Sequence, residues 1–321
     1  MIGCGSFARQ VHGPAQRRYA EARPDVELAA CCDVDAARAR EFAAAFGYAR
    51  TAADVAEMLA AEKPDAVILA VPPVQTRRMA GAVLARGYPL LLEKPPGVTE
   101  AELEQLIEAE AKGGAVAQVA FNRHYMPVLR RALGILAAVP PEAVRRIDYD
   151  MTRFDRWEPD FSTTAVHAID GALVLARSPF RSAALHFQAR RHEGREATDV
   201  TVEAECVSGT RVRVNIQPVA GRNADTARVH TIGQSLFIRL PVSPNSLEPD
   251  GLEHWRGDRL AESFAETDAD LVARLGIWAE TAAFLDAVQA GAPPAPRLSD
   301  CRQQVRLMEA IRLRRTGPIH F

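Results

Sequence analysis

The sequence predicts a two-domain α/β protein: a doubly wound parallel sheet with helices on both faces, then an α+β domain with a large, mostly antiparallel, open-faced sheet. Three observations predict it. The first third alternates continuous apolar runs with Ala-rich helical stretches, the pattern of buried parallel strands covered on both sides. After about residue 143 the pattern changes to period-two strands with short polar or Gly-containing connections, as in an antiparallel sheet. A glycine-rich turn, Gly3-Cys4-Gly5-Ser6-Phe7-Ala8, opens the first helical stretch. The boundary falls between the blocks 1–121 and 122–321.

The elements follow in order. Val26–Asp33 (VELAACCD) is a strand, and Ala36–Phe46 an Ala-rich helix stopped by Gly47. Thr51–Ala61 is a short helix, Ala66–Val71 a buried strand ended by Pro72-Pro73. Arg77–Arg86 is helical, Pro89–Leu92 a strand, Glu100–Lys112 a helix with an acidic start, and Val116–Phe121 a strand. In the second block the strand candidates are Val144–Phe154, Ser182–Arg190, Val200–Cys206, Arg211–Pro218, Thr226–Ile232 and Leu236–Leu240. One helix, Thr164–Leu175, interrupts them, and helices return at 270–290 and 299–315. Residues 241–268, with Pro241, Pro244 and Pro249, form the most loop-like stretch. In Arg211–Gln217, Val212, Val214 and Ile216 share one side, and Arg211, Arg213, Asn215 and Gln217 the other. Glu203 and Glu205 repeat this, so the sheet's free face is charged.

Composition narrows the function. The 321 residues are 48% hydrophobic and 25% charged, as in a soluble protein able to bury a large core. A formal net charge of −2 supplies no field to attract nucleic acid or an anionic membrane. No apolar run approaches the roughly 20 residues that cross a bilayer, and no signal peptide is expected before the motif at Gly3. The cysteines, Cys4, Cys31, Cys32, Cys206 and Cys301, are odd in number and include no C-x-x-C pair, so neither a disulfide framework nor a metal site is expected. A reducing cytoplasm suits free thiols. Of 39 basic residues only Lys63, Lys94 and Lys112 are lysines. A chain that uses Arg almost everywhere keeps Lys94 in an apolar segment, where a compact ammonium with an adjustable pKa has a use.

Two motifs carry chemistry. In the G-x-G-x-x-A turn, glycine lets the backbone bend and approach a pyrophosphate lying at a helix N-terminus. The strand VELAACCD ends in Asp33, whose carboxylate would bind the adenosine ribose hydroxyls and repel a 2′-phosphate; this favours NAD over NADP. Asp33 also fits as a helix-start residue, a role Asp35 suits at least as well. The second motif, Leu90-Leu91-Leu92-Glu93-Lys94-Pro95, puts a charged pair at the carboxyl end of a buried strand, where open α/β sheets place ligands.

With the Glu93-Lys94-Pro95 triplet, the glycine turn and Asp33, the chain resembles the Gfo/Idh/MocA oxidoreductases (glucose-fructose oxidoreductase / inositol dehydrogenase type). Phe121-Asn122-Arg123-His124-Tyr125 and Ala282–Val288 followed by Gly291 are similar to segments of that family. The resemblance implies a Rossmann domain, a second domain with a large sheet, a nicotinamide between them, and Lys94 on the reacting hydroxyl. Gly3, Gly5, Ser6, Phe7, Ala8, Asp33, Val71, Pro72, Glu93, Lys94 and Arg123 would then contact the cofactor.

The proton-transfer residue is expected on Thr163-Thr164-Ala165-Val166-His167-Ala168-Ile169-Asp170. The family usually carries Asp-x-Gly-x-His here, and this chain keeps His167 but has Thr163 and Ala165. His167 is the expected general base, an imidazole titrating near neutral pH; its partner is left among Asp170, Asp160 and the Thr163 hydroxyl. A second departure replaces the family's Thr-Pro-Asn-x-x-His with Val71-Pro72-Pro73-Val74-Gln75-Thr76. Tyr125, Arg153, Trp157, Thr163 and Thr164 are the remaining substrate candidates, although Arg153-Phe154-Asp155-Arg156-Trp157 fits an ordinary strand end with an anchoring Trp equally well.

Only Met1 and Ile2 precede Gly3, whereas a Rossmann turn follows a buried strand of about five to six residues; a truncated first strand is expected. The expected activity is hydride transfer between a nicotinamide and a sugar-like or cyclic polyol alcohol or its ketone, by a homodimer or homotetramer. Two alternatives stand beside it: a glycoside-cleaving enzyme that uses NAD transiently, and a non-catalytic nucleotide-binding sugar sensor.

Overall fold

A computed structural model describes residues 1–242 and 250–321. The chain forms two compact units: Met1–Asn122 with Gly276–Val305, and Arg123–Leu275 with Arg306–Phe321. The two-block division at 121/122 assigns 276–305 to the second domain, but these residues pack on the first unit. The helix Ile277–Gln289 brings Asp286 to the Tyr19 hydroxyl (2.6 Å) and Trp278 under the Arg18 guanidinium (4.6 Å). The Val119 amide donates to the Pro296 carbonyl (2.9 Å), and Arg302 pairs with Glu104 (2.7 Å). Contacts between residues so far apart in the chain leave no mark on local pattern.

The first unit is parallel throughout. Its strands are β1 (Ala30–Cys32), β2 (Arg50–Ala52), β3 (Val67–Leu69), β4 (Leu90–Glu93) and β5 (Ala117–Ala120). The pairs β1–β2, β3–β4 and β4–β5 all run parallel. Helices α1 (Gly13–Ala22), α2 (Ala36–Phe46), α3 (Val55–Glu62), α4 (Pro73–Leu84) and α5 (Glu100–Gly113) alternate with them. The buried triplet Val67-Ile68-Leu69 and Leu90-Leu91-Leu92 explain the unbroken apolar runs: these strands are covered on both faces.

Ile2 bridges Cys32 of β1 and Leu69 of β3 at once. Its amide donates to the Ile68 carbonyl (2.8 Å), and Cys32 N–H and Gly3 N–H complete the lane with Met1 and Cys32 carbonyls. Two residues therefore join β1 to β3 at their carboxyl ends, so those backbone groups are paired. Further down the lane lies a cavity of about 750 Å³ between Val26–Ala30 and Pro64–Ile68.

The second unit carries α6 (Pro127–Ala137), β6 (Val144–Thr152), α7 (Ser162–Ala176), β7 (Phe180–His192), β8 (Arg195–Cys206), β9 (Arg211–Gln217), β10 (Ala224–Thr231) and β11 (Gln234–Leu240). These are followed by β12 (Gly251–Arg256), β13 (Arg259–Ala265), α8 (Leu271–Arg274) and, near the end, β14 (Pro318–His320). Among the described residues, nine strands run in the order β13-β12-β11-β10-β6-β9-β8-β7-β14, antiparallel except for β6–β9. The expected loop 241–268 is corrected here: β12 and β13 form a hairpin turned by Gly257 and Asp258, both at positive φ. Pro244 and Pro249 lie outside the described residues. In β9, Val212, Val214 and Ile216 are buried while Arg211, Arg213 and Gln217 are exposed. Gly171 lets α7 lie against β6, since a Cβ there would meet the Tyr149 ring at 2.7 Å.

Candidate functional site

In the first unit the glycine turn is fixed by sterics. Gly3 has φ +88°, and a Cβ on it would lie 2.1 Å from the Ala70 carbonyl oxygen, so only glycine fits. Val71 abuts the same point, and Pro72 follows as the N-cap of α4. At Gly5 a Cβ would meet nothing within 4 Å. That open space lies beside the start of the helix, whose first internal bond runs from Arg9 N–H to the Gly5 carbonyl (2.9 Å). The amides of the first turn thus have no intrahelical acceptor, the arrangement that receives a phosphate. Ser6 and Phe7 are exposed and Ala8 is buried. These residues fit a dinucleotide.

Asp33 closes the turn from the other side. It is 8% exposed; one carboxylate oxygen accepts from the Cys4 amide (2.8 Å), the other from the Asp35 amide (2.9 Å), with Arg38 at 3.4 Å. The helix-start role falls to Asp35, which accepts from the Ala37 and Arg38 amides. Asp33 is therefore a strand-end carboxylate coupled to the glycine turn.

At the end of β4 the Glu93 carboxylate meets a residue that motif reading passes over. His12 Nε2 lies 2.8 Å from Glu93 Oε1, and the ring is completely buried. His12 ends a π-helical turn, Ala8–His12, that links the glycine turn to α1. Its signal was present: Ala8, Val11, His12, Ala15 and Tyr19 share the buried helix face, so this histidine had to point inward. Lys94 follows Glu93 and is half-buried.

The second unit holds the remaining candidates. Arg123, on the short helical turn Asn122–Tyr125, is 4% exposed and donates from Nε (3.0 Å) and Nη2 (2.6 Å) to Asp225. Arg153 Nη1 donates to the other Asp225 oxygen (2.7 Å), and the Tyr149 hydroxyl adds a fourth bond (3.0 Å). Both arginines, expected at cofactor and substrate, are thus committed to a buried carboxylate. Burial alone would raise the Asp225 pKa, but the two guanidinium groups outweigh it and hold the carboxyl down at about 2.

Helix α7 presents His167, Thr163 and Thr164 as half-buried residues. Of the partners considered for His167, Asp170 also meets His124 Nε2 at 2.8 Å, and Asp160 accepts from the Ser162 amide. Burial works to lower the His124 pKa; the Asp170 charge and hydrogen bond exceed that effect, and the net shift is upward. Thr164 accepts from Arg156 (3.4 Å). Trp157 donates from its indole to Asp155 (2.6 Å), and Arg195, near the β7–β8 hairpin tip, lies 4.5 Å over its ring. Tyr125 is half-buried. Among the described residues no group of His, Cys, Asp and Glu is placed to hold a metal ion, and no helix is long and apolar enough to cross a membrane.

Comparison with known proteins points to the same fold. Residues 1–121 match the Gfo/Idh/MocA description "Oxidoreductase family, NAD-binding Rossmann fold". A putative UDP-kanosamine synthase oxidoreductase subunit of Amycolatopsis mediterranei is 34% identical over 141 residues, 43% of this chain but only 38% of that protein. An inositol 2-dehydrogenase of Burkholderia vietnamiensis is 25% identical over 309 residues, covering 94% of this chain and 88% of the relative. An Agrobacterium radiobacter oxidoreductase, solved with NAD+, L-tartaric acid and magnesium, shares the fold at TM-score 0.84 and 16% identity, with 99% and 96% of the two chains covered. Neither alternative activity is favoured by these likenesses. Residues 1–121 therefore carry the NAD-binding Rossmann domain of the Gfo/Idh/MocA oxidoreductases, and the whole chain is similar in fold to a solved Gfo/Idh/MocA family oxidoreductase of Vibrio cholerae.

Proposed function

We propose that the protein is an NAD-dependent dehydrogenase that interconverts a secondary alcohol of a sugar-like or cyclic polyol and its ketone. The observation that carries this reading is the 2.8 Å bond from His12 to Glu93. It sets the residue before Lys94 against the helix that opens with the glycine turn, so dinucleotide turn and candidate catalytic lysine belong to one local structure. Bound NAD would supply the hydride acceptor. Gly3, Gly5 and the amides of Ser6, Phe7 and Ala8 would hold its pyrophosphate, with Val71 and Pro72 alongside, and Asp33 its adenosine ribose. Asp33 makes NAD the preferred cofactor over NADP.

Lys94 would donate a hydrogen bond to the reacting oxygen and stabilise the negative charge it gains as hydride departs. His167 would take the hydroxyl proton. Thr163, Thr164, Tyr125 and Trp157 would orient the polyol, with Arg123 and Arg153 supporting from beneath through Asp225. The five buried free thiols suit a reducing, cytoplasmic setting. The test is a panel of inositols, aldoses and anhydrosugars with NAD, read as NADH absorbance. Turnover on at least one member, lowered about 10²–10³-fold in Lys94→Ala, is expected. Silence across the panel, or an unaffected Lys94→Ala enzyme, would refute the reading.

A further inference from the structure

His12 has no part in the family motifs set out above, yet its ring is buried beside the glycine turn. Three features hold it. The Ala8–His12 segment closes as a π-turn, with Gly13 N–H bonded to the Ala8 carbonyl, and π-turns recur where a helix must re-aim a side chain. Gly13 has no room for a Cβ, which would lie 2.5 Å from the Phe46 ring, so α1 sits hard against α2. The Phe7 ring meets the imidazole edge-on at 5.6 Å. The ring is thereby directed at Glu93, a residue 81 positions away, whose side chain is only 13% exposed.

We propose that His12 is a positioning residue for Lys94. Its hydrogen bond fixes the Glu93 carboxylate at the last position of β4. The next peptide unit, and with it the Lys94 ammonium, takes its setting from that anchor. Because His12 ends the π-turn that follows the glycine turn, the anchor also ties the setting of Lys94 to the helix that would receive the dinucleotide phosphates. This rests on the function proposed above.

The test compares wild type with His12→Leu, which keeps bulk and loses the ring nitrogens, and His12→Gln, which keeps an N–H donor of similar reach. The first readout needs no substrate. Pro95 and Pro96 carry no amide hydrogen, so deuterium exchange of a peptide covering 90–96 reports the end of β4. In His12→Leu that peptide should exchange at least severalfold faster, both alone and with NADH, while peptides from α5 and β5 keep wild-type rates. NADH affinity, titrated by its fluorescence, should stay within about threefold. With whichever polyol supports turnover, kcat should fall by up to about 10²-fold, the scale of a small misplacement of a reacting group, with little change in the polyol KM. His12→Gln should recover most of both effects. Wild-type exchange at 90–96 in His12→Leu overturns the proposal, as does a His12→Gln variant as impaired as His12→Leu. A protein that forms no NADH from any polyol would sink the proposed function, while the exchange result would still decide the His12–Glu93 anchor.

Discussion

Replacing Asp225 by Asn should be among the most damaging single changes in the second unit. The carboxylate accepts four hydrogen bonds, two from Arg123, one from Arg153 and one from Tyr149, and its side chain is fully buried. An amide keeps the shape but removes the charge, leaving two buried guanidinium groups without a counter-ion. Breaking a buried pair in this way costs about 3–5 kcal/mol. At about 2–4 °C per kcal/mol for a domain of this size, the melting temperature should fall by about 6–20 °C. Protonation of Asp225 is a milder perturbation. Its folded pKa of about 2 lies below the ordinary 3.8, so its contribution is present above 3.8 and is lost as pH falls toward 2. That interval is worth about 2 kcal/mol, less than the mutational figure, because it measures only the preference for the charged form. Scanning calorimetry at neutral pH and at pH 3 on both proteins measures each part: the gap between wild type and Asp225→Asn should narrow at pH 3. Asp225→Leu combined with Arg123→Met and Arg153→Met should be far less destabilising than Asp225→Asn, since no charge is left stranded. A melting temperature for Asp225→Asn within about 2 °C of wild type at neutral pH would show that the Asp225 charge does not hold this cluster together.

Other consequences are equally specific. The His124 pKa is raised in the folded state, so its ion pair with Asp170 stabilises fully below about 6.5 and loses effect as pH rises through the folded value; the stability gap between wild type and His124→Gln, from urea titrations, should therefore shrink between acidic and alkaline buffer, and a pH-independent gap would contradict the pairing. Asp33→Ser should narrow the preference for NAD over NADP in binding titrations, and it should also weaken NAD itself, because the Cys4 amide loses its acceptor; equal wild-type affinities for the two cofactors would contradict the role given to Asp33. Any dimer formed through the open sheet face must join charged surfaces, since Arg146–Asp148, Arg211–Glu205 and Arg228–Asp150 already pair within it. Light scattering should show association that weakens as salt rises, and a monomer at every ionic strength would exclude this interface.

The parts of the fold visible in the sequence are those set by local physics. Ala36–Phe46 was bounded by Asp35 and Gly47, and the structure shows Asp35 capping its first turn and Gly47 left-handed at its end. The strand Leu90–Glu93 was visible because burial on both faces demands an unbroken apolar run. The hairpin β12–β13 was hidden by polar composition, although Gly257-Asp258 between alternating residues was a legible turn signal. β2 is short and exposed, and carries no apolar pattern to find. The site divides in the same way. Gly3 and Asp33 announce themselves because a tight turn and a strand-end carboxylate each require a residue type. Arg123 and Arg153 look like ligand-facing cations, and only folding shows that Asp225, 102 and 72 positions away, claims them. His12 and Glu93 are likewise joined by the fold alone.

Direct hydride transfer assisted by Lys94 leaves an isotopic trace. A polyol that supports turnover is prepared with deuterium on the carbinol carbon and incubated with NAD and enzyme, and the recovered NADH is examined by NMR at C4. One deuterium should appear at C4, on a single face of the ring, at a rate that drops about 10²–10³-fold in Lys94→Ala. NADH without deuterium, or a product formed by elimination with no lasting reduction of NAD, would contradict direct hydride transfer.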